Sequence, residues 1–193
     1  RMGCEVIDMG VVRDDPALLE AAFAKAAKDA DAIITSGGVS VGEADFTKAM
    51  MKKLGDVAFW KIAMRPGRPM AVGRIGQSVL FGLPGNPVAV MVTFLAFVRP
   101  ALLRMMGSSA QSAPLLRAKS LEPMRKKAGR TEYQRGFVSS APDGTLQVRT
   151  TGNQGSGVLS SMVHGNGLIV LHHAQGNVAV GDEVDVMMFE GTI

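Results

Sequence analysis

The sequence has little cysteine, few aromatics and no long apolar run. Its single cysteine, Cys4, rules out an internal disulfide. That fits a reducing compartment, and the cytoplasm is the expected location. Cys4 opens an apolar run and reads as a small buried hydrophobe. Aromatics make up 5% of the chain. The most basic stretch, MRKKAGR from Met124 to Arg130, has none interleaved on which bases could stack. It reads as a solvated basic face, and nucleic acid is not an expected partner. The longest apolar run, VAVMVTFLAFV from Val88 to Val98, is interrupted by Thr93. A bilayer span needs about 20 residues, so no membrane partner is expected. The histidines make no metal set, since adjacent His172 and His173 point to opposite faces of any strand.

What is present suits folded domains. Hydrophobic residues make up 47% and charged residues 20% of the 193. That length fits one domain, or one plus a small second. The 13 methionines read as fillers of irregular core gaps. The net charge of +4 favours anionic ligands only weakly.

The first half alternates strands and helices. EVIDMG, Glu5 to Gly10, reads as a strand. Asp15 is a good N-cap and Pro16 a good first residue for a helix with Leu18, Leu19, Ala22, Phe23 and Ala26 on one face. DAIIT, Asp31 to Thr35, reads as a short apolar strand, followed by a loop and a helix from Phe46 to a stop at Gly55. VAFWKIA and MAVGRI read as strands flanking MRPGRP. SVLFG leads into LPGNP and a long helix that Pro100 should kink or break. This order predicts an α/β fold, a mostly parallel sheet with helices on both faces, over residues 1–107. GSSAQSAP, Gly107 to Pro114, reads as a linker. The short strand-like runs after it predict a small all-β barrel over 113–193. Because the chain starts at Arg1 beside a strand-like run, it reads as a piece of a longer protein.

Three segments of the first half carry candidate chemistry. In open α/β sheets, ligands bind beyond the C-terminal strand ends, which is where TSGGVSVGEAD falls. Gly37 and Gly38 let the backbone approach a ligand, and Ser36 and Ser40 add hydroxyls to an anion cradle. Glu43 and Asp45 offer the oxygen donors a hard cation such as Mg2+ prefers. A plain turn with Asp45 as the next helix cap accounts for the same residues. In MRPGRP, Arg65 and Arg68 flank a stiff turn and suit an oxyanion, with Lys61 one strand-length earlier. A surface hairpin with solvated arginines is the simpler reading. In LPGNP, Pro84, Gly85 and Asn86 lead into a helix N-terminus, a ready anion site and equally an ordinary capped helix. The second half adds RTEYQRG, from Arg130 to Gly136, and the polar loop TGNQGSGVLSS, which contains Ser156.

Taken together and in this order, GCEVIDMGVVRDDP, TSGGVSVGEADFTK, MRPGRPMAVG, FGLPGNPVAVMVTFLAFVRPAL, RTEYQRG and TGNQGSGVLSS resemble the molybdenum insertion enzymes, the MoeA family that includes the E domain of gephyrin. The resemblance implies a molybdopterin-binding α/β subdomain that lacks its first strand and helix. It implies a C-terminal β-barrel subdomain after it, and two further N-terminal subdomains absent here. The implied activity is transfer of molybdate to adenylyl-molybdopterin with release of AMP, assisted by Mg2+. By position, Asp45, with Glu43 beside it, matches an acidic residue of the hydrolysis. Ser40, Arg65, Arg68 and Pro69 fall among groups around molybdate and the pterin phosphates. Arg130 and Ser156 match barrel residues that close the molybdate site. The implied partners are adenylyl-molybdopterin and molybdate, a second copy in a homodimer, the molybdopterin adenylyltransferase and apo-molybdoenzymes. Two departures stand out: RPGRP replaces the family's KPGKP, and Ala89 stands where LPGNPVS has serine. A molybdopterin adenylyltransferase shares the TSGG loop, and a binding or scaffold module shares the framework, so both stay as alternatives.

Overall fold

The computed structural model describes residues 2–39, 46–109 and 114–189. The chain divides into two units. One comprises Arg1–Ile62 and Gly67–Met106, and the other Ala63–Pro66 and Gly107–Ile193.

The first unit is α/β. Helix α1 (Pro16–Asp29) starts at Asp15, whose carboxylate accepts from the Ala17 and Leu18 N–H groups at 3.0 and 2.9 Å. Leu19, Phe23 and Ala26 are buried, whereas Leu18 is half exposed. Strand β1 (Ala32–Ser36) and helix α2 (Phe46–Leu54) follow, then β2 (Asp56–Lys61), β4 (Pro69–Ile75) and β5 (Ser78–Leu83). The sheet order is β1-β5-β4-β2.

The sheet is mixed. Only β1 and β5 run parallel, while β5–β4 and β4–β2 are antiparallel. The mostly parallel sheet expected from the alternating order is thus corrected at β2, β4 and β5. Their connections are too short for crossovers: β4 and β5 are joined through Gly76 and Gln77 alone, and a two-residue hairpin forces antiparallel pairing. Helices do cover both faces. Phe23 and Ala26 of α1 and Met51 of α2 pack with Ile33, Ala71, Ile75 and Leu80. On the other face Met70, Phe81 and Leu83 pack with Val98, Val90, Phe94 and Leu102. Strand alternation divides the two sets, so Leu80 and Phe81 serve opposite layers.

That second layer is one continuous helix, Pro87–Met105. It is built of α3 (Pro87–Thr93), a π-helical turn (Phe94–Val98) and α4 (Arg99–Met105). Pro100 does not break it. Proline deprives the preceding turn of a donor, and the chain absorbs this by widening: the Arg99 N–H reaches back five residues to Phe94. By length and composition alone this helix could cross a bilayer, being longer than the apolar run inside it. Val88, Ala89, Val92 and Val98 bury its inner face in the α/β core.

Glu5–Gly10, expected as a strand, forms none. Val6 and Val11 are 82% and 97% exposed. An alternating pattern becomes a strand only beside a ladder partner, and none is present among the described residues.

The second unit is a β-barrel. Strands β6 (Leu116–Ser120), β7 (Thr131–Ser140), β8 (Leu146–Thr150), β9 (Gly167–Leu171) and β10 (Glu183–Met188) run in the order β7-β8-β6-β10-β9, and an additional β7–β9 pairing closes the ring. Closure leaves these five strands no free edge. Val138, Val148, Ile169, Leu171, Val184 and Val186 fill the interior. At Gly136 a Cβ would lie 2.7 Å from Ile169 Cγ1, so glycine here makes room for that packing. A one-turn helix, α5 (Ser160–Val163), sits between β8 and β9. The two-residue strand β3 (Met64–Arg65) pairs in parallel with Thr131 and Glu132 of β7, which makes Ala63–Pro66 part of this unit. The Arg65–Pro66 peptide is cis.

On the barrel surface, Asp185 accepts from Arg117 at 3.1 Å and meets His172 Nε2 at 2.6 Å. The His172 hydrogen bond, and secondarily Arg117, hold the Asp185 carboxyl below its ordinary value. A carboxylate depressed in this way stabilises the fold above its unfolded value of about 4 and loses that contribution as pH falls through the folded value. Asp185→Asn should therefore cost about 0.5–1 kcal/mol near pH 7. The gap in thermal midpoint between variant and parent should close as the pH is lowered from the unfolded value through the depressed folded one.

Candidate functional site

In the α/β unit the candidate surface lies where parallel strands β1 and β5 end. Thr35 and Ser36 close β1, and Gly37 and Gly38 follow at φ 93° and 70°, a left-handed turn that favours glycine. The Gly37 N–H donates to the Leu83 carbonyl at 3.0 Å. A Cβ on Gly85 would lie 3.6 Å from Gly37 Cα. The SGG turn and the LPGNP turn thus lie against each other at the start of α3. Pro84 is buried, Gly85 and Ser36 are exposed, and Asn86 holds the N-cap position.

Asn86 does not cap with its side chain. Its Oδ1 is buried without a partner, and so is Thr35 Oγ1. Native structures leave few such atoms unpaired, and an unpaired group costs about 1–3 kcal/mol. Both atoms belong to residues next to the SGG turn and the start of α3. Ala89 is buried in α3, so a serine hydroxyl there would itself need a partner. Ser40, Glu43 and Asp45 lie outside the described residues.

MRPGRP is divided between the units. Lys61 and Pro69 are register partners at the open ends of β2 and β4. Arg68 is exposed in the same unit and accepts the Ile62 N–H at its carbonyl. Arg65 belongs to the barrel unit, opposite Glu132.

In the barrel unit a cleft of about 250 Å³ is lined by Arg65, Arg125, Glu132, Tyr133, Arg135 and Gln154, among others. Three guanidinium groups against one carboxylate leave a surplus of two positive charges on its walls. Arg135 is the centre of this arrangement. It is 1% exposed. Its Nε–H donates to Ser161 Oγ at 2.8 Å, and a terminal N–H donates to the Gly155 carbonyl at 3.0 Å. Neither acceptor is charged, and among the described residues no carboxylate pairs with it. Burial first, and repulsion from Arg65 second, lower its pKa from the ordinary arginine value. Among the described residues, two of the five N–H donors of this guanidinium are used in this way. A buried cation without a counter-charge is costly, and the surplus positive charge of the cleft suits an anion.

Arg130 is placed differently. It is tied to Glu132 through Nε at 2.8 Å and a terminal nitrogen at 2.7 Å, and it is not among the cleft-lining residues. Ser156 is exposed, next to the Gly155 carbonyl that Arg135 uses. In RTEYQRG the arginine that lines the cleft is thus Arg135, whereas the family resemblance points to Arg130. The available signal was Gly136: an arginine beside a glycine in a strand that is buried on both faces. Desolvation also raises the pKa of the Tyr133 hydroxyl at the cleft wall.

Residues 1–104 match a family described as "Probable molybdopterin binding domain", and residues 117–189 match the MoeA C-terminal region (domain IV). A molybdopterin molybdenumtransferase from Haemophilus influenzae is 44% identical over 190 residues, covering 98% of this chain and 47% of that protein. Gephyrin from Dictyostelium discoideum is 30% identical over 203 residues, covering 93% of this chain and 28% of that protein. A molybdopterin biosynthesis MoeA protein from Pyrococcus horikoshii superposes with a TM-score of 0.73 at 29% identity, covering 95% of this chain and 43% of the other. The chain thus spans about half, or less, of the length of these relatives.

If Arg135 is the anion anchor, a divalent oxyanion should raise the thermal midpoint of the unaltered chain. Arg135→Met should abolish most of that rise while leaving the anion-free midpoint little changed. Differential scanning fluorimetry with and without molybdate checks both.

Proposed function

The chain belongs to the MoeA and gephyrin E-domain family of molybdopterin molybdenumtransferases, and on that premise we propose that it forms part of a molybdenum insertase acting on adenylyl-molybdopterin and molybdate, with release of AMP. The observation that carries the reading is the cleft around Arg135. A surplus of two positive charges and a buried guanidinium without a carboxylate suit a doubly charged tetrahedral oxyanion. Arg65 and Arg125 would share its charge at the cleft walls. RPGRP in place of KPGKP keeps the charge and adds the planar fork that can bind two oxygens at once.

At the strand ends of the α/β unit, Ser36, Gly37, Gly38 and Ser40 would cradle the pterin phosphate, with Pro84, Gly85, Asn86 and the helix start beside them. Arg68 and Lys61 would add positive charge on the same unit. Asp45 would orient the attacking water at the pyrophosphate link. Glu43 and Asp45 together have the oxygen donor chemistry of a Mg2+ site, and the ion would neutralise pyrophosphate charge when bound. Among the described residues no cluster of three His, Cys, Asp or Glu offers another metal site. The chain's own contribution is positioning and preorganised positive charge. Family resemblance further supports a homodimeric full-length protein in the cytoplasm, receiving its substrate from a molybdopterin adenylyltransferase and serving apo-molybdoenzymes.

Supplied with adenylyl-molybdopterin, Mg2+ and molybdate, the full-length protein should release AMP. Asp45→Asn should keep nucleotide binding and slow AMP release by about 10²-fold or more. Release at the parent rate would remove Asp45 from the reaction. Arg68→Ala should weaken molybdate uptake, and an unchanged calorimetric titration would count against it.

A further inference from the structure

The loop TGNQGSG does more than bring Ser156 near the cleft. Gln154 pairs with the main chain of Arg135 at both of its polar groups. The Arg135 N–H donates to Gln154 Oε1 at 2.7 Å, and Gln154 Nε2 donates to the Arg135 carbonyl at 3.1 Å. A carboxamide used in this way imitates a peptide group of a neighbouring strand. It does so where the neighbouring strand offers the Arg135 N–H no acceptor: β8 pairs with β7 only from Gly136 onward, opposite Thr150. Thr151 then gives the same Arg135 carbonyl its backbone N–H at 3.0 Å. The Gln154 amide completes the ladder one residue beyond the end of β8.

The side chain of Arg135 is held by the same stretch of chain. Gly155 accepts from its terminal nitrogen, and Ser161 accepts from Nε while donating its own hydroxyl to the Val158 carbonyl at 2.5 Å. Residues 154 to 161 thus fix both the backbone and the guanidinium of the one buried arginine in the cleft. Gln154 is the only one of these residues that also lines the cleft. Its amide is in addition bonded back into its own loop, to the Gly152 carbonyl at 3.2 Å. The loop and the strand cannot shift relative to each other without breaking these bonds.

We propose that Gln154 is a positioning residue for oxyanion binding. It sets the main chain of Arg135 so that the unused guanidinium donors face the cleft, and it couples the 151–157 loop to that arginine. The proposal rests on the reading of the Arg135 cleft as the oxyanion site. Packing alone does not need an amide here, because a methionine of similar length would fill the same space.

The test uses the full chain and sodium molybdate as the probe, titrated calorimetrically, with Gln154→Met, Gln154→Ala and Arg135→Ala beside the parent. Both Gln154 variants should bind molybdate roughly tenfold more weakly, a loss of about 1.4 kcal/mol in binding. Their anion-free thermal midpoints should stay within a few degrees of the parent. The Arg135 Nε–H resonance, assigned by its loss in Arg135→Ala, should exchange faster with water in both. Parent-like affinity in Gln154→Met would overturn the proposal while leaving the site standing, provided Arg135→Ala binds weakly. A loss of affinity that merely follows a large fall in the anion-free midpoint would also overturn it, by reducing Gln154 to a structural role. Failure of the unaltered chain to bind molybdate would overturn the site and the proposal together.

Discussion

Burial of the Arg135 guanidinium without a carboxylate is the constraint around which the barrel unit is organised. Taking such a cation out of water costs several kcal/mol unless its hydrogens are satisfied. Here uncharged oxygens from a single stretch, Gly155 to Ser161, satisfy part of it. Arg65 approaches as a second cation and makes the position less favourable still. Such an arrangement is poor for stability and suits a dianion, which would bring the missing charge. The glycine that follows, Gly136, lets Ile169 and Val148 close over the other face of β7. One strand therefore carries the dry barrel core and the charged cleft on consecutive residues.

The α/β unit follows the same logic with backbone in place of charge. The ends of β1 and β5 bring two turns together, and the positive φ of Gly37 and Gly38 keeps side chains away from the approach. Thr35 and Asn86 leave buried oxygens unpaired beside a helix start. The helix behind them stays continuous past Pro100 by widening into a π-helical turn. Thr93 assists by returning its hydroxyl to the Ala89 carbonyl at 2.7 Å, a bond that tends to bend helices. The rear of the site is thereby packed on Met70, Phe81 and Leu83.

Much of the element order was legible because it rests on local chemistry. Asp15 and Pro16 announce α1, Gly55 ends α2, and alternation sorts Leu80 from Phe81. Strand pairing was less legible. Whether neighbours run parallel depends on connection length and on partners distant in sequence, which is why β2 and β4 came out antiparallel and Glu5–Gly10 found no partner among the described residues. In RTEYQRG, the choice between Arg130 and Arg135 was invisible for a similar reason. Both are arginines in one strand. Only the position of Glu132 ties up the first, and only the 154–161 segment encloses the second.

By itself the sequence determined most of the elements, the division into an α/β part and a β-barrel, and, through its motifs, the family. These follow from propensities and patterns that act over a few residues or are carried by residue identity. The tertiary structure alone decided that Arg135 is buried beside Arg65 with no carboxylate among the described residues, which of their polar atoms lack partners, and that Gln154 extends the β7 ladder where β8 stops. Those properties depend on what is absent around a side chain, and absence is a matter of three-dimensional neighbours that no local pattern records.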